Sequence, residues 1–213
     1  LGTLYRDMGE YEKSLPLLTE YIQITEKKFG KEYYNYGNSL NELALLYYLM
    51  GDYKNALPLY LEALQNTEKS LGKNNLSYSV RLNNLGLLYT ATRDFKKALP
   101  LYQEAIEIIE TISGKNNLDY VTTLNNLADI YRLIGEYSKA LSLHLESLQI
   151  TESISGKENI RYISSLYNVA RTYQASGNYT KAIDLFLASL EKVKSFGKEQ
   201  SPFYNPILFN LAK

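Results

Sequence analysis

Cysteine and tryptophan are absent from this 213-residue chain, and there is a single histidine, His144. Without cysteine there is no disulfide and no thiolate metal site, which fits a reducing compartment. Lysine plus arginine number 23 against 23 for aspartate plus glutamate, so the formal net charge is zero. No bulk field recruits nucleic acid or an anionic membrane, and any electrostatic recognition has to be local. No apolar run approaches the roughly 20 residues that cross a bilayer, and no leader pattern precedes the first polar residues. The expectation is a cytoplasmic protein that meets neither nucleic acid nor membrane.

Tyrosine, by contrast, occurs 21 times. Tyr5, Tyr47, Tyr89, Tyr131 and Tyr173 recur every 42 positions, and the surrounding segments copy one another: LNELALLYYLMGDY, LNNLGLLYTATRDF, LNNLADIYRLIGEY and LYNVARTYQASGNY. A fixed period of this size marks stacked repeats, in which each unit buries its apolar face only against its neighbours. The units run approximately 1–30 (partial), 31–72, 73–114, 115–156, 157–197 and 198–213 (partial), as a single array over 1–213. LGTLY opens the chain and ILFNLAK closes it, both inside the copied segment, so both ends read as cut from a longer polypeptide. Uncapped stacking faces around Leu4 and Leu208–Leu211 predict head-to-tail self-association.

Each repeat reads as two helices. From Tyr78 to Thr92, Leu82, Leu85, Leu88 and Tyr89 fall at helical spacings of three and four. Arg93-Asp94 interrupts, and Asp94 suits the start of the next helix. Elsewhere that turn is Gly51-Asp52, Gly135-Glu136 and Gly177-Asn178, with the glycine offering a left-handed cap. A second apolar series, from Phe95 through Ala98, Tyr102 and Ala105 to Ile109, stops at Gly114. Gly30, Gly72 and Gly156 match Gly114, and Gly197 comes one residue early. Small residues at Gly86, Ala98 and Ala105 let the two helices approach closely. Pro16, Pro58 and Pro100 sit near the start of the second helix, where a local distortion rather than a boundary is expected.

Leu40, Ala44, Tyr47, Gly51, Tyr53, Ala56, Tyr60 and Ala63 fill the slots of a tetratricopeptide repeat, which this pattern resembles. The usual period is about 34. The longer version here, with its LNNLA and ALPLY segments, is similar to kinesin light chain repeats. Similar arrays also occur in bacterial multidomain proteins that carry a caspase-like protease domain of the CHAT type. The resemblance implies an all-α, right-handed superhelical solenoid that acts as a protein-interaction scaffold rather than an enzyme and needs no cofactor. The second reading is a regulatory or docking arm of a larger enzyme such as a CHAT-type protease. Arg93, Ser142, Asp184, His144 and Phe186 depart from the pattern, and the fifth unit's altered spacing, with Pro202 and Pro206 after it, predicts a different last junction.

In such arrays the first helix of each unit lines a concave groove. The resemblance therefore marks Arg6, Asn41, Leu45, Tyr48, Asn83, Leu87, Asn125, Asp129, Arg132, Tyr167, Arg171 and Gln174 as peptide-groove candidates. An amide both donates and accepts, so Asn41, Asn83 and Asn125 could pair with the backbone of an extended peptide. The neighbouring series Asn84, Asn126, Asn168 and Asn210 reads instead as packing between units. Leu45, Tyr48 and Leu87 make one half apolar, while Asp129, Arg132 and Arg171 charge the other. A ligand with an apolar end and an acidic or mixed end fits. The lysine–asparagine carboxylate clamp of chaperone-binding arrays is missing.

Five Gly-Lys pairs superficially suggest a phosphate loop. None is preceded by a glycine-rich loop or followed by Ser/Thr, so helix capping with a cation at the C-terminal dipole is the expected role. His144 takes the slot of Tyr60 and Tyr102 and reads as a packed residue, because one histidine without cysteine forms neither a triad nor a metal cluster.

Overall fold

The structure, a computed structural model, describes residues 1–195 and 202–212; Gly197 and Lys198 lie outside them. All regular elements among the described residues are α-helices: α1 (Gly2–Asp7), α2 (Tyr11–Phe29), α3 (Tyr34–Leu49), α4 (Tyr53–Leu71), α5 (Leu76–Ala91), α6 (Phe95–Ser113), α7 (Leu118–Leu133), α8 (Tyr137–Ser155), α9 (Ile160–Ala175), α10 (Tyr179–Ser195) and α11 (Tyr204–Leu211). Consecutive helices form hairpins. The chain divides into two compact units, Leu1–Ile112 and Ser113–Lys213.

The copied residues explain the copied boundaries. α3, α5, α7 and α9 each have 16 residues, and α2, α4, α6 and α8 each have 19. α5 starts at Leu76, two residues before the helical stretch read from Tyr78, because the Asn75 side chain accepts a hydrogen bond from Ser77 N at 2.8 Å. Asn117 and Asn159 cap α7 and α9 in the same way. Such caps satisfy backbone donors that the first turn leaves unpaired. The first helices end on a left-handed residue, with φ of 76° at Gly51 and 85° at Gly135. Arg93 adopts the same conformation at φ 61°, the only non-glycine among the described residues to do so. Pro16, Pro58 and Pro100 lie inside uninterrupted helices and, as expected, set no boundary.

Packing is local to each helix pair and its neighbours. In the first unit, Leu18, Ile22, Tyr36, Leu40, Leu43, Leu46 and Ala63 form one buried cluster, and Ala44, Ala56, Tyr60, Leu85 and Leu88 form the next. A Cβ added at Gly86 would stand 2.8 Å from the Tyr102 ring, so only glycine admits that ring so close to the backbone. In the second unit, Ile163, Ala170, Ala182, Phe186, Leu190, Val193 and Ile207 are buried together. Tyr5, Tyr47, Tyr89, Tyr131 and Tyr173 are half-buried, not fully enclosed. Lys13, Lys97, Lys139 and Lys181 lie over four of these rings at 5.1–5.5 Å. The most enclosed tyrosines are Tyr60 and Tyr102, with relative exposures of 1 % and 0 %, and Tyr36, Tyr78, Tyr120 and Tyr162 are buried as well.

Candidate functional site

The first-helix face of the first unit is built on α1, α3 and α5. Arg6 on α1 donates to Glu42 on α3 and to Asp7, and its side chain is 10 % exposed. Leu45 and Tyr48 are half-buried and pack on the cluster around Tyr60 and Leu88, with the Tyr48 and Tyr53 ring centroids 5.7 Å apart. Leu87 is half-buried on α5. Asn41 does not present its amide to a ligand as the sequence suggested. It is 3 % exposed, and its Oδ1 accepts from Asn84 Nδ2 at 2.9 Å. Asn83 is half-buried and has polar contacts of its own.

Two residues of this face went unnoticed in the sequence. Glu42 is the anchor of Arg6. Arg81 is 6 % exposed, donates to Asn38 Oδ1 and leaves its Nε without a partner. Burial pulls its guanidinium below the usual arginine range, against the opposing influence of Glu42. Arg81 stands where the other copies have Ser39, Thr123 and Ser165. That break in the copy was the available signal. Asn66 was also visible in this way, since Ile108 and Ile150 occupy its slot. Its Nδ2 donates to Lys31 O at 2.5 Å and its Oδ1 accepts from Gly37 N at 3.1 Å, which latches the linker onto α4.

The second unit arranges different chemistry on α7 and α9. Arg132 donates to Asp129 through Nη2 at 2.7 Å and Nε at 3.0 Å. Arg171 is half-buried and lies over the Tyr167 ring at 5.6 Å. Among the described residues no carboxylate pairs with it. Tyr167 OH accepts from Asn210 Nδ2 at 3.2 Å. Asn84 and Asn210 therefore both tie one first helix to the preceding one, the packing role expected of that series. Gln174 is half-buried at the end of α9.

Asn125 behaves differently from Asn41. Its Oδ1 is buried and has no hydrogen-bond partner. It lines a hollow of about 130 Å³ between α7 and α9 that also touches Thr122, Thr151, Arg161, Ser164 and Ser165. That oxygen has essentially no surface open to a ligand, so it is an unmet acceptor within the packing.

His144 is fully enclosed on α8. Thr172 Oγ1 gives its one proton to Asn168 O at 2.9 Å, so it can only accept from His144 Nδ1–H at 3.1 Å. Nε2 is then a bare acceptor without a partner. Burial pulls the imidazole from 6.5 down to about 4; Asp129 pulls the other way, and Arg132 and Arg171 reinforce the fall. A neutral, enclosed ring has no route to substrate as an acid or base.

Two of the Gly-Lys pairs are clasps. Lys31 and Lys115 reach Glu62 and Glu146 at 3.4 and 3.1 Å, and each glutamate also accepts from a tyrosine, Tyr36 or Tyr120. Gly30, Gly72, Gly114 and Gly156 all have φ between 70° and 79°. Among the described residues no cluster of His, Cys, Asp and Glu could hold a metal, and no helix is long and apolar enough to cross a membrane.

The tetratricopeptide repeat family model matches residues 1–69, 36–111, 78–153 and 119–195. The chain belongs to the tetratricopeptide repeat family. Solved structures similar to it include BtubC (BKLC) from P. vanneervenii, at 21 % identity and TM-score 0.81, with 93 % of this chain and 79 % of that one covered. A Podosopora anserina putative kinesin light chain with nearly identical TPR-like repeats matches at 22 % identity and TM-score 0.75, covering 94 % of this chain and 93 % of that one. The apo form of RapI matches at 15 % identity and TM-score 0.76, covering 95 % and 72 %. No curated protein sequence matches the chain. Proteins described as kinesin light chain-like are thus among the structures that share this fold. Tetratricopeptide arrays are generally non-catalytic scaffolds for protein–protein interaction, and this chain has that fold.

Proposed function

We propose that this chain binds a peptide segment of a protein partner on the first-helix faces of its repeats, with an acidic stretch of the ligand on α7 and α9. The carrying observation is Arg171. A half-buried guanidinium stacked on Tyr167, with no carboxylate partner among the described residues, keeps its bidentate donors for an anionic group. Arg132, held by Asp129, adds a second oriented cation.

Peptides selected on the protein from a random-sequence display library supply the probe. Their affinity is measured by titration calorimetry for the unmodified chain and for Asn83→Ala/Asn125→Ala/Arg132→Ala/Arg171→Ala. The reading expects acidic peptides of micromolar affinity that weaken about tenfold or more in the variant and as salt rises. Equal affinity for both proteins would remove it.

A further inference from the structure

One place in the repeat is filled in the first unit and open in the second. On α5, Ser77 and Arg81 stand one turn apart; two periods later the same slots of α9 read Arg161 and Ser165, the pair reversed. Arg81 turns inward, donates to Asn38 on α3 and is 6 % exposed, so its side chain takes up the space between the two helices. Ser165 is too short to do the same. Between α7 and α9 the hollow of about 130 Å³ remains, beside Thr122, the counterpart of Asn38. It is several times the roughly 10–15 Å³ that one water needs. Arg161 lines this hollow from one turn nearer the helix start and is exposed.

The lining selects the guest by charge. It contains one cation and no carboxylate, and Arg161 has no ion pair among the described residues. Thr122 gives its hydroxyl proton to Leu118 O, Ser165 to Thr151 Oγ1 and Thr151 to Ser147 O. Ser164 is half-buried, and its hydroxyl makes no hydrogen bond among the described residues. The donors left for a guest are therefore the Arg161 guanidinium and the Ser164 hydroxyl, a pair suited to a carboxylate. We propose that this hollow is a carboxylate subsite, which takes a second acidic side chain of the ligand whose first acidic group meets Arg171. The peptide as the source of that carboxylate rests on the function proposed above; the subsite itself is open to test without a peptide. Ser164 and Arg171 are seven residues, about two turns, apart and share one face of α9, and Arg161 is ten residues from Arg171. At about 1.5 Å per residue the two contacts lie roughly 10–15 Å apart along the helix, a distance spanned by about three to five residues of extended chain.

Exchanging the pair, Arg161→Ser/Ser165→Arg, copies the first unit: net charge is kept and the hollow is filled as Arg81 fills its own. Sodium acetate is titrated at constant ionic strength into the isotopically labelled chain and into this variant, with acetamide as the neutral control, and NMR shifts are followed. The unmodified chain should show saturable acetate shifts centred on the Arg161 Nε–H and Ser164, and none with acetamide. The exchanged variant should lose them. Arg161→Ala, at an exposed position, should lose them too, so the outcome does not hang on the folding of the exchange. Arg171→Ala should keep them, which separates this subsite from the Arg171 contact. Acidic peptides selected from the display library should bind the exchanged variant about tenfold more weakly than the unmodified chain. Acetate shifts that are absent, that acetamide reproduces or that survive the exchange would overturn the subsite, as would peptides that bind both proteins equally. Peptide affinity lost in Arg171→Ala but not in the exchange would leave the peptide reading standing and remove this one.

Discussion

Tyr60 in the first unit and His144 in the second stand in the same register, two periods apart, and are 1 % and 0 % exposed. The seat is the same and the chemistry is not. Position 88, in the first helix that follows Tyr60, is Leu, and the matching position 172 is Thr. Thr172 gives the imidazole one hydrogen bond, which a leucine cannot do. The polar groups nearby differ in the same sense. In the first unit Arg6 is spent on Glu42 and Asp7, and Asn41 on Asn84. In the second, Arg171 has no carboxylate partner among the described residues, and the buried Asn125 Oδ1 has no hydrogen-bond partner. A repeat protein can therefore keep its packing constant while the polar partners of its first helices change from one unit to the next.

The sharpest way to break the comparison is to exchange the residues. Tyr60→His buries a smaller ring against Leu88, where neither nitrogen finds Thr172's counterpart. Chemical denaturation should show a loss of about 3–5 kcal/mol, from the cavity and the unmet polar atoms together. Adding Leu88→Thr should restore about 1 kcal/mol of that.

Acid is the next largest lever. His144 is held at about 4 in the folded chain, below its ordinary 6.5. Between those values the unfolded chain binds the extra proton, so stability is full above pH 6.5 and falls as the pH drops toward 4. The loss from this residue should approach 3 kcal/mol. Denaturation midpoints measured across that window should lose this component of the slope in His144→Phe. Thr172→Val leaves Nδ1–H unmet and should cost about 1–3 kcal/mol at neutral pH.

The smallest effect on folding is the most informative about the face. Arg171→Ala should change stability by no more than about 0.5 kcal/mol, since no ion pair is lost. The same substitution should weaken selected acidic peptides about tenfold, because a bidentate charge-assisted contact goes with it.

Much of the fold was legible because it was written several times. The 42-residue period located the hairpins, and the turn glycines located the ends of the first helices. Helix starts were less visible, since α5 begins where Asn75 caps it and not where Leu82 and Leu85 begin the apolar series. Tyr89 and its copies repeat as strictly as any residue, yet they are only half-buried, because periodicity marks a shared environment without fixing its depth. The face was less legible than the fold. Asn41 and Asn125 are the same residue in the same slot, yet Asn41 is buried and reached by a neighbouring amide, whereas Asn125 is half-buried and its Oδ1 is not. Glu42 and Arg81 act through partners 36 and 43 residues away, and only the helix stacking brings those partners close.

The central claim is that copied residues hold the repeats together while departures on the first helices meet the partner. Amide and side-chain NMR shifts, recorded while a selected acidic peptide is titrated into the chain, test it most directly. The account predicts perturbations concentrated on the Asn125, Arg132 and Arg171 side chains of α7 and α9, with the second helices α8 and α10 nearly silent. Perturbations concentrated on α8 and α10, with those three side chains unmoved, would contradict it.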